Sequence, residues 1–486
     1  MDACLAVFEQ IDMLSRFSNR SEAMKTWKTK ELVDYTIGTK YEDYPKEVIE
    51  ITKMFILDSL GCALGGSVSA LGQAVLSPFK AMGGAAEATL IGGQMKVPCI
   101  QASFVNGTTT NALDFDDTLL GIGHPGASAI PAALAFGEAR SVPGKDILNA
   151  IITAYDVGDR IGLAIQPSYD RLQKVWGVGT WQTFSAAVAA AKTMNLNKAQ
   201  MFNTFGVAGA TAPLPNTQKW GWDSDERPIH WVKEPTGWPC WTGATAAVLS
   251  ESGFIGNRYI LDGDNGFWIM AGSDRCDFDK MTANLGTHFE IAKNIAIKPY
   301  SCCRWEHAAL DGIKQIKQEN KLQHDDVKEI LINSFAWVKS HELYDPDGLV
   351  DAQFCMPYTA TMVMLGKVPG PEWYTEENLK SEAVSRFSRK VKVTIDPELD
   401  QKYFEKDQLS ARVNITTHNG DSFVKFVEIP TGDPRHPLPI EDVEAKFKSQ
   451  AAFVLNDDQI SQVMELVYDF ENLQNIKSLM ALLAGN

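Results

Sequence analysis

The sequence changes its repeating pattern twice along its 486 residues, and these changes limit the folds that it can adopt. Roughly the first 280 residues contain alanine-rich stretches with the spacing of buried helices, such as residues 126–140 and 183–194. Residues 284–430 instead mix strand-like and helical segments, and residues 440–483 are helical and amphipathic again. We therefore predict a mainly α protein with an inserted α+β domain, whose C-terminal helices pack back on the first domain.

A chain of this length is too large for one simple core, so more than one domain is expected. The predicted boundaries are 1–283 for the first part of the helical domain, 284–430 for the α+β lid domain and 431–486 for the returning helices. Inside the lid domain, residues 411–417 and 422–427 have strand character and flank Asn419-Gly420-Asp421. This arrangement predicts a β-hairpin.

Charge and composition exclude several classes of protein. The net charge of −16 disfavours nucleic acid, and no apolar run is long enough to span a bilayer. The first 20 residues contain Asp2, Glu9 and Asp12 and lack the basic region of a secretory signal or transit peptide. We expect a cytoplasmic protein, with the mitochondrial matrix as the alternative. The eight cysteines form no CxxC pair, so reduced thiols are expected rather than zinc or an iron–sulfur cluster.

The segment from Asp114 to Thr118, followed by His124-Pro125-Gly126, is the strongest candidate for a functional site. It places three carboxylates, a hydroxyl and an imidazole within eleven residues of an otherwise apolar region. Carboxylates are rarely buried unless they are paired or functional, so the segment predicts acid–base chemistry or a metal site. A magnesium cluster like those of isoprenoid synthases would need a second ligand motif, which we do not find. A solvated acidic turn that begins a helix at Asp117-Thr118 is the other alternative.

A second candidate segment opens the α+β region with Lys298 and continues through Cys302-Cys303 to His307. A lysine directly after the apolar residues 295–297 is unusual for a strand that continues into a core. The alternatives are a strand end with its ammonium in solvent, a structural histidine and two small buried cysteines.

Two further segments carry polar groups that could reach a pocket. Lys233 has Trp231 and Trp238 as near neighbours, an arrangement that can bind a carboxylate in a desolvated pocket. A surface ion pair is equally compatible with that segment, and the tryptophans can equally belong to a core. Tyr358 begins a predicted helix, where its hydroxyl could reach a site or simply mark the edge of a core.

These segments, in this order, resemble the MmgE/PrpD family, which includes 2-methylcitrate dehydratases, cis-aconitate decarboxylases and iminodisuccinate epimerases. The resemblance covers nearly the whole chain. The motifs that carry it are Leu57 to Cys62, Asn106-Gly107, Asp114 to Thr118, His124-Pro125, Gly206 to Gly209, Lys298 to Tyr300, His307, Ala352 to Tyr358 and Gly432 to Pro437.

The resemblance implies a large helical domain formed from both ends of the chain and an inserted α+β lid, with the pocket between them. It also implies a homodimer that uses no metal and no organic cofactor. The site residues that it implies are catalytic His124, Asp114, Thr118 and Tyr358, with Lys233, Lys298, Cys303, His307 and Trp176 around the substrate. Cys303 stands where some decarboxylases of the family have a histidine.

Three positions depart from the family pattern. Many relatives have histidines where this chain has Asn111 and Leu119, and Trp176 stands where a pocket histidine is found in several of them. The acid–base residues are therefore retained, while residues that contact the substrate are partly replaced.

The resemblance implies a lyase that acts on a small polycarboxylate, either a 2-methylcitrate or alkylcitrate dehydratase-like enzyme or a cis-aconitate decarboxylase-like one. Lys298 and Lys233 are then the candidates for carboxylate binding, and His124 is the candidate general acid or base. Asp114 would orient that site, and Thr118 would supply a hydrogen bond. An isomerase or epimerase on the same fold is one alternative, and a non-catalytic binding protein is the other. No nucleic acid or membrane partner is expected.

Overall fold

The computed structural model describes residues 27–119, 122–172, 174–176, 178–217 and 236–485. The α-helices are α1 (Lys28–Gly38), α2 (Lys46–Ser67), α3 (Ala70–Met82), α4 (Cys99–Asn111), α5 (Gly126–Arg140), α6 (Gly144–Ala164), α7 (Tyr169–Leu172), α8 (Val178–Thr193), α9 (Lys198–Thr211), α10 (Gly237–Glu251), α11 (Phe267–Met270), α12 (Phe278–Thr282), α13 (Glu290–Lys293), α14 (His307–Glu319), α15 (Ala336–Ser340), α16 (Leu349–Ala352), α17 (Met356–Leu365), α18 (Glu376–Leu379), α19 (Glu382–Ser388), α20 (Pro397–Lys406), α21 (Ile440–Ala451), α22 (Asp457–Tyr468) and α23 (Lys477–Leu483). The strands are β1 (Ala88–Leu90), β2 (Met95–Val97), β3 (Thr118–Leu119), β4 (Val175–Trp176), β5 (Asn216–Thr217), β6 (Ile295–Ala296), β7 (Val327–Ser334), β8 (Val391–Ile395), β9 (Ala411–Thr417) and β10 (Ser422–Val427).

One hydrophobic core joins the helices of the first 297 residues to the three C-terminal helices. Residues 186–191 of α8, all alanine except Val188, are fully buried in it, because small side chains let neighbouring helices approach closely. Val443 of α21 and Leu479 of α23 belong to the same core. The C-terminal helices thus share a core with the first part of the chain, while the predicted domain division stays a prediction.

A second core fills the α+β region and is built on a four-stranded sheet in the order β10-β9-β7-β8. β9 and β10 form the predicted hairpin, with Ala411 opposite Val427 and Thr416 opposite Ser422. β8 pairs with β7 in parallel, which the sequence did not indicate. The mainly α architecture with a smaller α+β region is confirmed, while the boundaries at residues 283 and 430 stay predictions.

Two chain segments link the cores, one around residues 295–298 and the other around residue 432, and they run side by side. The first segment contains β6, which pairs with β3 so that Thr118 lies opposite Ala296. The two segments are joined by a hydrogen bond of 3.1 Å from the amide of Ile297 to the carbonyl of Gly432. These contacts bring the acidic segment and Lys298 to the same junction between the two cores.

By length and composition, no single helix within the described ranges could cross a membrane. Among the described helices, α2 and α3 are long and apolar enough only when taken together, and their axes are bent by 84° relative to each other. The seven cysteines in the same ranges are all free thiols.

Candidate active site

Lys298 is buried against Asp114 at the junction of the two cores. Its Nζ lies 2.7 Å from Asp114 Oδ1 and 3.0 Å from the main-chain oxygen of the same residue. Asp114 has a left-handed backbone conformation, with φ of +50°, directly after the end of α4. Only 1% of Lys298 is exposed, so the alternative of an ammonium in solvent is wrong.

The electrostatic surroundings of Lys298 favour its charged form. Burial by itself lowers the pKa of this ammonium, but the carboxylates of Asp114 and Asp116 outweigh that effect and raise it above the usual value. The raised pKa favours the ammonium form of Lys298 at this junction, where it can bind a carboxylate.

His124 lies between carboxylates just before α5. Its Nδ1 is 3.2 Å from Asp116 Oδ2, and its Nε2 is 3.8 Å from Asp114 Oδ1. Gln182 of α8 fixes the main chain, since its side chain accepts from the His124 amide and donates to the His124 carbonyl at 3.1 Å and 2.7 Å. Nδ1 also lies 3.2 Å from the main-chain oxygen of Asp117, which is its hydrogen-bond partner. The two carboxylates place negative charge on either side of the ring, which suits a general acid or base.

Asp116 is a site residue that the sequence analysis did not single out. Its other oxygen, Oδ1, accepts a hydrogen bond of 2.9 Å from the side-chain amide of Asn111. Asn111, which replaces a family histidine, therefore holds the carboxylate that lies next to Nδ1 of His124. In the sequence, the separation of Asn111 and Asp116 by five residues was the one indication that their side chains could meet.

The side chain of Asp117 is fixed by Tyr155 and Gly126. Its Oδ2 accepts from the Tyr155 hydroxyl at 2.7 Å, and its Oδ1 accepts from the Gly126 amide at 3.0 Å. Burial and the neighbouring Asp116 raise the pKa of Asp117 to about 7, although the bond from Tyr155 acts in the opposite direction. Asp117 is therefore a second titratable group next to the site.

Thr118 stabilises the turn that carries His124. Its hydroxyl donates a hydrogen bond of 3.1 Å to the carbonyl of Gly123, and the residue pairs with β6 as described above. Leu119, where many relatives have a histidine, is fully buried in the helical core.

Lys446 and Asp58 are two further buried groups that the sequence analysis did not assign to the site. Lys446 Nζ donates to the carbonyls of Phe115 and Lys298 at 2.6 Å and 3.0 Å, and it lies 2.6 Å from Asp58 Oδ1. Asp58 falls within the motif Leu57 to Cys62, whereas nothing in the amphipathic pattern around Lys446 indicated a buried lysine.

The hydroxyl of Tyr358 is engaged within the α+β region. It donates to the main-chain oxygen of Trp373, and only 1% of the residue is exposed. Burial raises the pKa of this phenol, so it stays protonated. The catalytic role predicted for Tyr358 stays a prediction, and this hydrogen bond favours the alternative of a tyrosine at the edge of a core.

His307 and Cys303 lie close to Lys298 in different environments. His307 is fully buried, with Nε2 3.3 Å from the carbonyl of Cys302 and Nδ1 3.0 Å from Arg304. Burial, followed by the charges of Arg304 and Lys298, lowers the pKa of His307 well below its usual value, which favours the neutral ring. Its predicted place around the substrate stays a prediction. Cys303 is half-buried, and burial together with the charges of Asp114 and Glu306 raises the pKa of its thiol.

The remaining predicted residues lie partly outside the described ranges. Lys233 and Trp231 belong to the segment 218–235, which is not described, and so their predicted roles stay predictions. The main chain of Trp176 pairs with Asn216 in a short sheet, while its side chain is also outside the description. Trp238 is half-exposed at the start of α10 and packs edge-on against Phe104, with ring centroids 5.0 Å apart.

Asp114, Asp116 and His124 each offer a metal-ligand atom, and these atoms lie within 4.8 Å of one another. However, Asp114 Oδ1 already accepts the ammonium of Lys298 at 2.7 Å. A divalent cation at this position would have to displace that ammonium or share the carboxylate with it, which like charges disfavour. The donor set therefore fits a lysine–carboxylate–histidine site better than a metal site.

The chain is similar to known proteins over nearly its whole length. A model of the MmgE/PrpD N-terminal domain matches residues 30–277, and a model of the MmgE/PrpD C-terminal domain matches residues 300–469. The chain is 25% identical to a cis-aconitate decarboxylase of Mus musculus over 464 residues, which are 92% of this chain and 91% of the relative. It is 24% identical to a cis-aconitate decarboxylase of Homo sapiens over 476 residues (92% of each chain). It is 23% identical to one of Aspergillus terreus over 484 residues (94% and 96%).

Proposed function

Because this chain belongs to the MmgE/PrpD family, we propose that it is a lyase that acts on a small polycarboxylate by proton transfer next to a carboxylate. One observation carries the proposal: the charged Lys298 and the carboxylate-flanked His124 both contact Asp114 in a single buried cluster. This arrangement combines a cation for substrate binding with a group for proton transfer.

Lys298 is the group that we assign to substrate binding. The ammonium has three N–H donors, and the two bonds that it makes within the described ranges both go to Asp114. The third donor can therefore bind a substrate carboxylate at the junction of the cores. Because the site is buried, the charge of Lys298 stabilises negative charge that develops on this carboxylate more strongly than water would.

His124 is the group that we assign to proton transfer. In a decarboxylation, the bond to the departing CO2 breaks and leaves its electron pair on the substrate as an enediolate-like anion. Protonated His124 then donates its proton to the carbon. In a dehydration, His124 takes the proton next to the carboxylate, and a hydroxyl group leaves after it is protonated by a second acid. The negative charge of Asp116, 3.2 Å from Nδ1, stabilises the protonated ring in either reaction.

The names of the relatives favour decarboxylation as the first reaction to test. The full-length protein should be incubated in D2O with cis-aconitate, 2-methylcitrate and citrate separately, and the products identified by NMR. A product that has lost CO2 or water supports the lyase. Deuterium incorporation without loss of either would instead show the isomerase or epimerase, and binding without any reaction would show the binding protein.

Substitutions of two different histidines, one in the candidate site and one on the surface, test the role of His124 with a matched control. His124→Gln should reduce turnover of the identified substrate by about 100-fold or more, which is typical for loss of a general acid or base. His324→Gln changes an exposed histidine next to Asp325 in the α+β region and should leave turnover unchanged. Equal activity of the two variants would contradict the role of His124.

The expected homodimer and cytoplasmic location remain predictions, which sedimentation and cell fractionation would test.

A further inference from the structure

Lys446 reaches the candidate active site from the last part of the chain. It belongs to α21, which packs against α2, and only 8% of it is exposed. Gly61 and Gly65 of α2 permit this close packing. A Cβ atom on Gly61 would lie 3.1 Å from Phe447 Cα, and one on Gly65 would lie 2.5 Å from Gln450 Oε1. This close packing places the ammonium of Lys446 next to Asp58, which lies one helical turn before Gly61 on α2.

The ammonium of Lys446 then bonds the main chain next to both members of the Asp114–Lys298 pair. One acceptor is the carbonyl of Phe115, the residue that follows Asp114, and the other is the carbonyl of Lys298 itself. The same ammonium lies 3.9 Å from the centroid of the Phe115 ring. One buried cation thus connects the acidic segment to the strand end that carries the lysine.

We propose that Lys446 is a positioning residue, which fixes the main chain of Asp114-Phe115 and of Lys298 so that their side chains meet, with Asp58 as its counter-ion. Asp58 is fully buried, and its charge would be uncompensated without Lys446. The helical motif Leu57 to Cys62 therefore has a function at the site, although none of its residues contacts Asp114 or Lys298 in the hydrogen bonds described. The effect of Lys446 on turnover rests on the proposed function, whereas its effect on the main chain does not.

Lys53 offers a matched control on the same helix. Its Nζ donates to the carbonyl of Tyr468 at 2.9 Å and pairs with Glu471 at 2.8 Å, and 3% of it is exposed. It is therefore another buried lysine that joins α2 to the C-terminal part of the chain. Among the described residues, its hydrogen bonds and ion pairs go to Glu50, Tyr468 and Glu471, and none goes to the candidate site. Lys446→Met and Lys53→Met remove the same kind of group at two places.

Hydrogen exchange measured by mass spectrometry tests the positioning without any substrate. Lys446→Met, and the charge-balanced Lys446→Met/Asp58→Asn variant in case the single one does not fold, should exchange at least tenfold faster in peptides covering residues 112–119 and 295–301. Lys53→Met should leave these peptides at the wild-type rate. Wild-type protection of both peptides in the double variant would overturn the proposal.

Kinetics with the identified substrate test the consequence for catalysis. The double variant should lose 10- to 100-fold in kcat with less than a threefold change in KM, because small displacements of reacting groups reduce rates strongly. Lys446→Arg keeps a donor cation and should recover part of the loss, which a purely packing role does not predict. Wild-type kcat in the double variant would overturn the catalytic part. If the wild-type protein shows no turnover of any substrate, the proposed function is overturned instead. Hydrogen exchange would then still show whether Lys446 fixes the main chain of the two segments.

Discussion

Lys298 and Asp114 form a buried ion pair whose partners are separated by 184 residues, with Nζ 2.7 Å from Oδ1. The pair connects the acidic segment after α4 to the strand end that leads into the α+β region. A buried ion pair adds little net stability, but removal of one partner leaves a charge that neither water nor protein compensates. This pair is therefore sensitive to single substitutions.

Lys298→Met should lower the free energy of unfolding by about 3–5 kcal/mol, since it leaves the carboxylate of Asp114 without its ammonium. Adding Asp114→Asn should recover a large part of that loss, because the double variant has no uncompensated charge. Urea unfolding followed by circular dichroism measures both effects. Lys380→Met, which removes an exposed pair with Glu376, should leave the unfolding midpoint nearly unchanged. Strictly additive effects of the two site substitutions would contradict the pairing.

Asp116→Asn should reduce turnover while the protein stays folded. Nδ1 of His124 lies 3.2 Å from Asp116 Oδ2, and an amide at this position would remove the negative charge that stabilises the protonated ring. We expect a loss of about tenfold or more in kcat, and no further loss when His124→Gln is combined with it, because the two residues act as a unit. Steady-state kinetics of the single and double variants measure this coupling. Independent losses that multiply in the double variant would contradict it.

Part of this site could be predicted from the sequence. Asp114, His124 and Lys298 were each singled out, and the structure brings all three together. Local chemistry also determined the hairpin of β9 and β10, since the Asn419-Gly420-Asp421 turn fixes the register of its flanking strands.

The parts that could not be predicted depend on contacts between distant segments. Lys446 lies on a helix whose polar pattern is that of a surface helix, and its burial follows only from the close approach of α21 to Gly61. The direction of the Tyr358 hydroxyl depends on where the chain places Trp373, fifteen residues later. Neither relationship has a periodicity or a spacing that the sequence alone could reveal.

The raised pKa of Asp117 predicts a specific dependence of stability on pH. Its pKa is about 7 in the folded protein against the ordinary aspartate value of 3.8, mainly because of burial and then because of Asp116. Below pH 3.8 both states are protonated. Between pH 4 and 7 the folded state holds the proton that the unfolded state has lost, so stability falls as pH rises, by up to about 1.4 kcal/mol per pH unit. Above about pH 7 Asp117 is ionised in both states, so its contribution to the free energy of unfolding no longer changes with pH.

Asp117→Asn removes this titration while an amide can still accept from Gly126 and bond with Tyr155. The free energy of unfolding of the wild type minus that of Asp117→Asn should therefore decrease between pH 4 and 7 and then level off. Denaturant unfolding at half-unit pH intervals measures the difference. A flat difference, or one that increases with pH, would show that Asp117 is ionised throughout.

Removal of metal ions should leave the activity unchanged. Asp114 Oδ1 bonds the Lys298 ammonium, which competes with any cation for the cluster of Asp114, Asp116 and His124. The test is turnover after dialysis against EDTA, with the metal content determined by mass spectrometry. Lys298→Met removes the competing ammonium and should bind Zn²⁺ more tightly than the wild type in calorimetric titrations. Activity that is lost with EDTA and restored by one divalent ion would contradict the metal-free site.

Tyr358→Phe should retain most of the activity, although the resemblance implies a catalytic tyrosine at this position. The hydroxyl donates to the carbonyl of Trp373 and is buried within the α+β region. Phenylalanine would leave that carbonyl without this donor, which costs about 1–3 kcal/mol of stability but removes no group from the Asp114–Lys298–His124 cluster. We therefore expect a lower unfolding midpoint and a kcat within about threefold of the wild type, since the reacting groups keep their geometry. Thermal unfolding and steady-state kinetics of the same preparation separate the two effects. A loss of 100-fold or more in kcat with an unchanged midpoint would place the hydroxyl at the substrate and would require the Trp373 bond to break when substrate binds.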